Sequence, residues 1–554
     1  MSENSTSPRK TVAHKSETNA PMSASTNKLP RVVVAESFAQ GGLTVLQQHG
    51  VDITSCVGAT RAELLVAVKN AQGLIVRSQT RVDRELLRAA DNLSVIGRAG
   101  VGVDAIDVAA ATDAGVVVVN TPSANTLAAT EHTFALMLAL MRHIPQASRS
   151  AADGVWERAR YVGHELYGKT LGIVGLGRIG GSVAMRARAF GMEILATDPF
   201  VSESRAKAHE VTLIPLEELL ERSDIVTLHV PLSVQSQRVI DAARIRKMKK
   251  NAFLVNCARG DLVDEDALLA ALDAELLAGA AMDVFSQEPP RAGSTGARLL
   301  RHKKVVATPH LGGSTHEALG RIAVELALDV VNVLQGNPAE GAVNAPAPCG
   351  VDAHLVRPFV DVAHRLGRLF AQLKDEALLP VLTMALQGDI AEVEAAPLVS
   401  AFLSGLLQIT TERRVSIVNA DAIARELGMV VEVRRDSSRD AYAAAIRVTG
   451  GKRSLTGTSA HDGARVVEID GYEVDTVPAG SLILTQHRDV PGMVGRVGTI
   501  LGDAQINISG MQVSRRVEGA KAIMVLSVDR STDTPTLDAL ARIPGMVSVR
   551  PLTL

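Results

Sequence analysis

Near the middle of the chain, three polar residues that could act together each follow an apolar run. Arg259 stands in CARG, Glu288 in QEPP and His310 in TPHLGG. Removing a hydride from a hydroxyl-bearing carbon requires a base for the hydroxyl proton, and histidine suits that task near neutral pH. A carboxylate can orient the imidazole, and an arginine can bind a substrate carboxylate through two parallel hydrogen bonds. Singly, each residue also fits a structural role, but together they predict a hydride-transfer site.

A glycine motif supplies a place for the hydride acceptor. LGIVGLGRIG carries Gly175, Gly177 and Gly180 in G-x-G-x-x-G order, between a predicted strand and an alanine-rich helix. Such a turn lets a pyrophosphate approach the N–H groups of a helix N-terminus. Asp198, eighteen residues after Gly180, ends the next predicted strand and could accept hydrogen bonds from ribose hydroxyls. The motif predicts NAD rather than NADP; the alternative is a turn that only packs helix on strand.

Two series of short β-branched runs must position these residues. Parallel sheets are typical of such runs when helices separate them. The first series occupies 31–37, 51–57, 73–78, 93–100 and 116–120, and the second occupies 170–175, 193–198, 224–230, 252–257, 279–285 and 304–309. Long helices at 126–144 and 314–336 bracket the second series, which is therefore predicted to be inserted into the first domain. The three reactive residues then lie at carboxyl ends of strands, where ligands bind in open α/β sheets.

The bulk composition narrows the classes of protein. The chain has 554 residues, a net charge of -2 and only 3 % aromatic residues, so a nucleic-acid partner is not expected. No apolar stretch predicts a membrane span, and three widely spaced cysteines (Cys56, Cys257, Cys349) predict a reducing, cytoplasmic setting without a metal site. Residues 1–29 are polar and predict a disordered tail, with an organelle transit peptide as the alternative.

These motifs resemble the D-isomer-specific 2-hydroxyacid dehydrogenase family, from Arg31 to the end of the chain. The resemblance implies catalysis by Arg259, Glu288 and His310, with NAD as the cofactor. It also implies an NAD site that includes Asp283 near the nicotinamide. The full set of predicted NAD-binding residues is Gly175, Gly177, Arg178, Ile179, Gly180, Asp198, His229, Pro231, Cys257, Ala258, Arg259, Asp283, His310, Gly312 and Gly313.

The family resemblance also predicts the architecture. An α/β fold is expected, with a doubly wound NAD-binding Rossmann domain (128–313) inserted in a flavodoxin-like substrate domain (30–127 and 314–346). An α+β intervening regulatory domain (347–480) and a ferredoxin-like ACT domain (481–554) are expected to follow. For the last domain the residues themselves read as strand, helix, strand, strand, helix, strand.

The extra domains resemble those of family members that oxidise 3-phosphoglycerate at the start of serine biosynthesis. A phosphorylated substrate requires cations or free N–H groups away from His310. The predicted substrate residues are Arg77, Ser78, Arg98, Val101, Gly102, Asn125, Arg259 and His310. Two alternatives remain: a reductase of glyoxylate or hydroxypyruvate, and an NAD-sensing binding protein without catalysis.

The terminal module has its own predicted site. TQHRDVPGMVGRVGTILGDAQINISG resembles the signature of ACT domains, which implies that His487, Asp489 and Asn507 bind serine as a feedback inhibitor. By the same resemblance the site lies across an interface in a homodimer or homotetramer. The alternative is an ACT-like module that serves dimerisation only.

Overall fold

The computed structural model describes residues 29–208, 210–346, 353–373, 380–438, 441–461, 463–516 and 521–554. Within these ranges no helix combines the length and apolar character needed to cross a bilayer. The tail predicted for 1–29 lies outside the described residues except for its last residue, and so does Cys349.

A five-stranded parallel sheet opens the chain, in the order β2-β1-β3-β4-β5. Except for the edge strand β2, which is exposed or half-buried, its strands are mainly runs of valine, isoleucine and leucine that are buried on both faces, as expected for a sheet covered by helices on each side. The elements are β1 (Arg31–Val34), α1 (Gln40–Gln48), β2 (Asp52–Ser55), α2 (Arg61–Ala67), β3 (Gly73–Val76), α3 (Arg84–Ala89), β4 (Val95–Arg98), α4 (Val108–Asp113) and β5 (Val117–Val119).

A second parallel sheet follows, in the order β12-β11-β10-β9-β6-β7-β8. The order reverses at β6, so a crevice opens beside the carboxyl end of that strand. The elements are α5 (Thr126–Met141), α6 (Ile144–Ala152), β6 (Thr170–Val174), α7 (Arg178–Ala189), β7 (Glu193–Thr197), α8 (Glu203–Ala208), β8 (Thr212–Leu213), α9 (Leu216–Arg222), β9 (Ile225–Leu228), α10 (Ala242–Lys247), β10 (Ala252–Asn256), α11 (Glu265–Asp273), β11 (Leu277–Met282), α12 (Thr295–Arg301), β12 (Val305–Ala307) and α13 (His316–Leu334).

Two details of this region differ from the sequence-based expectation. The sheet has seven strands rather than six, because the two residues of β8 pair with β7. The helix expected at 126–144 ends at Met141, and α6 starts after His143, whose φ of 53° interrupts the helical backbone. A left-handed residue cannot continue a right-handed helix.

Helix α13 returns the chain to the first sheet. Its apolar face packs Ile322, Leu326 and Val330 into the core formed with Val32 and Val95. The second sheet is therefore enclosed in sequence by elements of the first, as the bracketing helices predicted. The exact domain boundaries given above stay a prediction.

A mixed six-stranded sheet forms the next region, in the order β14-β13-β15-β16-β17-β18. Only β13 and β14 pair in parallel, and the remaining neighbours are antiparallel. The elements are α14 (Ala353–Leu373), β13 (Val381–Gly388), α15 (Ala396–Thr410), α16 (Ala420–Glu426), β14 (Val430–Asp436), β15 (Ala444–Gly450), β16 (Arg453–Ala460), β17 (Gly463–Ile469) and β18 (Tyr472–Thr476).

An antiparallel sheet in the order β20-β21-β19-β22 closes the chain. One face carries two helices, and on the other face Leu482, Leu484 and Leu552 join the core of the preceding region. The elements are β19 (Ser481–Arg488), α17 (Met493–Asp503), β20 (Ile508–Arg515), β21 (Lys521–Val528), α18 (Thr534–Ala541) and β22 (Met546–Thr553). The predicted βαββαβ order and the overall α/β class are confirmed.

Candidate active site

A cleft of about 900 Å³ lies between the carboxyl ends of the first two sheets. All eight residues predicted to bind substrate line it, and so does Glu288. They come from loops after β3, β4, β10, β11 and β12 and from the start of α5. The cleft-lining residues among the predicted set are Arg77, Ser78, Arg98, Val101, Gly102, Asn125, Arg259, Asp283, Glu288, His310 and Gly313.

Glu288 and His310 form a hydrogen-bonded pair on one wall of the cleft. His310 Nδ1 lies 2.7 Å from Glu288 Oε2, and Glu288 Oε1 accepts from the Phe285 amide at 3.0 Å. Since an ionised carboxylate only accepts, the contact assigns the proton to Nδ1 and leaves Nε2 free. Burial works to raise the pKa of Glu288, but the hydrogen bonds from His310 and Phe285 outweigh it and hold that pKa below its usual range. The Glu288–Pro289 peptide bond is cis.

Arg259 holds its guanidinium in a fixed orientation at the end of β10. Its Nε donates to Asp104 Oδ2 at 3.1 Å, and its Nη1 donates to the Ala258 carbonyl at 2.7 Å. The remaining N–H groups of Nη1 and Nη2 are available to a bound carboxylate. Gly102 permits this placement, because a Cβ there would lie 1.8 Å from Arg259 Nη2.

Two more arginines bring positive charge to the same cleft. Arg98 donates from Nη1 to the Ala99 carbonyl at 3.0 Å, while its buried Nε has no partner among the described residues. Burial, reinforced by the nearby charge of Arg259, lowers the pKa of Arg98 to about 10. Arg77 donates from Nη1 to Ser37 Oγ at 3.1 Å. The buried Oδ1 of Asn125 likewise finds no hydrogen-bond partner in the described ranges.

The glycine motif follows β6 at the point where the strand order reverses. Gly175 has a φ of 95°, and a Cβ there would lie 2.6 Å from the His229 carbonyl oxygen. A Cβ on Gly180 would lie 2.0 Å from the Gly175 oxygen, so helix α7 and the loop need both glycines. Gly177 caps α7 and would meet nothing within 4 Å, which leaves open space where a pyrophosphate would approach. The residues present fit a bound dinucleotide.

Asp198 lies beside this loop, at the carboxyl end of β7. One of its oxygens accepts from the Leu176 amide at 2.8 Å and the other from the Phe200 amide at 2.9 Å. Each oxygen keeps a further lone pair for a ribose hydroxyl. Arg178 and Ile179 open helix α7 next to it.

Asp283 lines the cleft, yet its side chain is engaged with protein groups. It is 1 % exposed and accepts from the Leu311 amide and the Gly312 amide, each at 2.8 Å. Burial works to raise the pKa of Asp283, but hydrogen bonds led by those of His132 and Thr308 outweigh it and keep that pKa low. A contact with the nicotinamide stays a prediction for this residue.

His229 and Cys257, two other predicted cofactor residues, follow β9 and β10. Burial lowers the pKa of His229 to about 4, so the ring is neutral at physiological pH, and its Nε2 lies 3.0 Å from Thr227 Oγ1. Burial raises the pKa of the Cys257 thiol to about 12, which makes it an inert wall residue. Pro231 is exposed, and Ala258 is held by a hydrogen bond from its amide to Asn256 Oδ1 at 3.0 Å.

The three residues predicted to bind an effector have different surroundings. His487 is 2 % exposed on β19, and its Nδ1 has no hydrogen-bond partner among the described residues. Asp489 pairs with Arg515 at 2.9 Å, so its charge already has a counter-ion. Asn507 is exposed, and its backbone amide donates to Asp529 Oδ1 at 3.1 Å.

Sequence reasoning missed three polar residues that contact the predicted site. Asp104 pairs with Arg259, and His132 lies 3.1 Å from Asp283 Oδ1. Glu36 accepts from the amides of Arg77 and Thr80 at 2.8 and 2.9 Å, which fixes the loop that carries Arg77. Asp104 follows Gly102 by two residues and His132 interrupts an apolar helix, so both had a local signal that went unused.

Family models match three consecutive parts of the chain. The first is described as "D-isomer specific 2-hydroxyacid dehydrogenase, NAD binding domain" and matches residues 134–312. The second, "D-3-phosphoglycerate dehydrogenase intervening domain", matches residues 355–470, and an ACT domain matches residues 481–545.

Curated relatives match along nearly the whole chain. A D-3-phosphoglycerate dehydrogenase of Bacillus subtilis is 42 % identical over 531 residues, covering 95 % of this chain and 99 % of the relative. One of Archaeoglobus fulgidus is 39 % identical, covering 93 % and 98 %. Among solved structures, D-lactate dehydrogenase from Aquifex aeolicus, complexed with NAD and lactic acid, is 28 % identical with a TM-score of 0.50, covering 55 % of this chain and 96 % of that one.

The cleft, the glycine loop and these matches agree on one assignment. The family resemblance drawn from the motifs and the prediction of NAD as cofactor are confirmed. The chain belongs to the D-isomer-specific 2-hydroxyacid dehydrogenase family, within its group of D-3-phosphoglycerate dehydrogenases.

Proposed function

We propose that the chain oxidises D-3-phosphoglycerate to 3-phosphohydroxypyruvate with NAD, the first step of the phosphorylated route to serine. One observation carries the proposal: Arg259, Glu288 and His310 line a single cleft together with Arg77 and Arg98. An acid–base pair alone would serve any 2-hydroxy acid. The further cations favour a substrate with a second, strongly charged anionic group.

The geometry supports one step for each reactive residue. Arg259 binds the substrate carboxylate with its free N–H groups, and His310 Nε2 accepts the proton of the 2-hydroxyl. Glu288 holds the other ring nitrogen and stabilises the imidazolium that results. The glycine loop would hold NAD, which would supply the acceptor for the hydride of the same carbon.

The second anionic group is assigned to the Arg77 and Arg98 side of the cleft. The Nε of Arg98 and the Oδ1 of Asn125 have no hydrogen-bond partner in the part of the chain that the structure describes, and a bound ligand would satisfy these buried polar atoms. The loop of Arg77 is fixed by Glu36, so its guanidinium reaches the cleft from a rigid base.

The test is an assay of NADH formation by the purified chain with D-3-phosphoglycerate, D-glycerate and D-lactate. We expect turnover with D-3-phosphoglycerate at a kcat/KM at least about 100-fold above that for D-glycerate, since charge-assisted contacts would be lost without the phosphate. Activity on glyoxylate or hydroxypyruvate with none on D-3-phosphoglycerate would assign the chain to the reductases. Failure with every hydroxy acid would favour an NAD-sensing binding protein.

We further propose that serine inhibits the enzyme by binding at the terminal sheet. Thr485 and His487 alternate with the sheet pleat, so their side chains share the face of β19 that carries Ile483 toward α17. Both have a buried polar atom without a partner in the part of the chain that the structure describes. Such atoms are costly to bury unless a ligand hydrogen-bonds to them.

Replacing Asn507 is expected to weaken serine inhibition. We expect Asn507→Ala to raise the serine concentration for half-inhibition about 10-fold or more, because a hydrogen bond to a charged ligand is lost. Initial rates at increasing serine give this value, and each variant's rate without serine is its own reference. The control is Asp503→Asn on the exposed side of α17. An unchanged half-inhibition concentration in Asn507→Ala would mean that Asn507 does not bind serine, and a wild type that serine does not inhibit would leave the ACT domain a dimerisation module.

We also propose that the chain forms a homodimer or homotetramer through residues 144–167. In the single chain this segment exposes Ile144, Trp156, Val162 and Tyr167 at 52 to 79 % of their surface. Several large exposed apolar side chains on one short segment favour an interface there.

The cytoplasm remains our proposal for the compartment, supported by the free thiols of Cys56 and Cys257.

A charge in the apolar segment should reduce the mass of the particle. We expect Val162→Asp to shift the enzyme toward monomer, because two like charges would be buried against each other or against apolar surface. Light scattering gives the mass, and the emission of Trp156, the single tryptophan of the sequence, reports burial of the segment. A wild-type chain that is monomeric at micromolar concentration would contradict the proposal.

A further inference from the structure

A buried cluster of polar side chains lies behind the wall of the cleft. It joins His132 of helix α5 to Asp283, which follows β11, and to Thr308, which follows β12. His132 Nε2 lies 3.1 Å from Asp283 Oδ1 and 3.0 Å from Thr308 Oγ1. Thr308 Oγ1 donates to the same Asp283 oxygen at 2.5 Å. The three residues are far apart in sequence, so the fold alone brings them together.

The hydrogen bonds of this cluster assign a proton to His132. The Thr308 hydroxyl donates its one hydrogen to Asp283, so its oxygen can only accept from His132. An ionised Asp283 can also only accept. His132 Nε2 therefore carries a hydrogen that both oxygens share, and the ring acts as a donor.

Asp283 also accepts hydrogen bonds from the loop that carries His310 and so holds that loop in place. Its carbonyl oxygen accepts from the His310 amide at 2.8 Å, and its carboxylate accepts from the next two amides, those of Leu311 and Gly312. His310 has a φ of 56°, in the left-handed region, which a residue other than glycine keeps only when its surroundings hold it there. The buried carboxylate supplies that restraint.

We propose that His132 is a positioning residue for the reaction: its Nε2–H keeps Asp283 an ionised acceptor, and Asp283 in turn holds His310 at the substrate. The inference rests on the proposed function of His310 as the base. His132 itself is not among the residues that line the cleft, and the Glu288–His310 hydrogen bond does not involve it. It acts on the chemistry through one carboxylate and one short loop.

The charged and titratable groups that face Asp283 come from four elements. His132 approaches from α5, Cys257 from the end of β10, Glu288 from the loop after β11 and His310 from the loop after β12. Cys257 is a neutral thiol at working pH, and Glu288 opposes the charge of Asp283. Loss of the His132 donor therefore raises the pKa of Asp283 and favours its protonated form.

The test compares two substitutions at His132. Glutamine places an N–H donor near the position of Nε2, whereas phenylalanine fills the space without a donor. We expect His132→Phe to lower kcat about 10- to 100-fold, since a small displacement of a catalytic group has effects of this size. We expect His132→Gln to restore kcat to within about threefold of wild type. The dissociation constant of NADH should change less than about threefold in either variant.

Rescue by glutamine separates positioning from a general loss of structure. His132→Gln and His132→Phe both remove the imidazole, but only glutamine can still donate to Asp283. We therefore expect the loss of kcat in His132→Phe alone, with the KM for D-3-phosphoglycerate within about threefold of wild type in both variants. Thr130→Val is the matched control, because it removes a buried hydroxyl from the same helix outside the cluster.

Each outcome decides the matter. An active wild type whose kcat falls equally in His132→Phe and His132→Gln, or in neither variant, would overturn the inference while leaving the proposed function intact. Equal losses in His132→Phe and Thr130→Val would make His132 a structural residue of α5. A wild type without turnover on D-3-phosphoglycerate would instead be a failure of the proposed function.

Discussion

Replacing His310 with asparagine is expected to lower kcat for D-3-phosphoglycerate oxidation by about 10²- to 10⁴-fold, the usual contribution of a positioned general base. Asparagine is chosen because it tolerates the left-handed φ of 56° that the position requires. Its amide can also still donate to Glu288. The substitution therefore removes the base at Nε2 while leaving the loop in place.

Cofactor binding should survive that change. The glycine loop that would hold the pyrophosphate lies on β6 and α7, away from the His310 side chain. NADH fluorescence titration should give a dissociation constant within about threefold of wild type, since no charged contact of the dinucleotide is removed. His316→Asn, an exposed histidine at the start of α13, is the matched control and should keep full activity. A parallel loss of turnover and NADH binding in His310→Asn would show that His310 is structural.

The features that sequence predicted best are those set by local patterns. Gly175 and Gly180 were identified from their spacing, and the structure explains both by atoms that a Cβ would strike. Arg259, Glu288 and His310 were placed in one cleft because each follows a strand of one parallel sheet, and carboxyl ends of parallel strands share an edge. Family, fold class and cofactor followed from the same motifs and are confirmed.

The features that sequence missed depend on contacts between distant residues. Strand β8 has only two residues, which pair with the edge of β7. Two residues are too few to form a β-branched run, so the sequence pattern did not predict this strand. Asp283 was predicted to lie near the nicotinamide, but its hydrogen bonds from His132 and from the amides after His310 come from two segments that are far from each other in sequence. Periodicity and motif spacing describe neighbours along the chain and carry no information on such pairs.

The terminal domain shows the same division. Its βαββαβ order was readable, because each element has its own turn and apolar period. That His487 is buried with a nitrogen that has no hydrogen-bond partner among the described residues, and that Asp489 already pairs with Arg515, follows only from the folded sheet. If Asp489 binds the ammonium of serine, serine would therefore share that carboxylate with Arg515 or displace Arg515 from it.

The second large effect is expected at Arg259. Lysine keeps the charge but replaces the planar fork with a single ammonium group, which cannot make two parallel hydrogen bonds to a carboxylate. We expect Arg259→Lys to lower kcat/KM for D-3-phosphoglycerate about 10³-fold, because the lost donors serve both binding and the polarised carbonyl of the product. Steady-state rates across substrate concentrations give this ratio. Arg291→Lys, an exposed arginine just after Pro290, is the control.

The surroundings of Arg259 explain why charge alone should not suffice. Asp104 engages Nε and the Ala258 carbonyl engages Nη1, so the guanidinium is fixed on one side and presents its other edge to the cleft. A lysine in this place would be drawn to Asp104, since its one ammonium cannot bind the acid and the substrate in the same geometry. The carboxylate of the substrate would then compete with Asp104, and KM should rise while kcat falls. If Arg259→Lys keeps kcat/KM within about tenfold of wild type, Arg259 does not orient the substrate by paired hydrogen bonds.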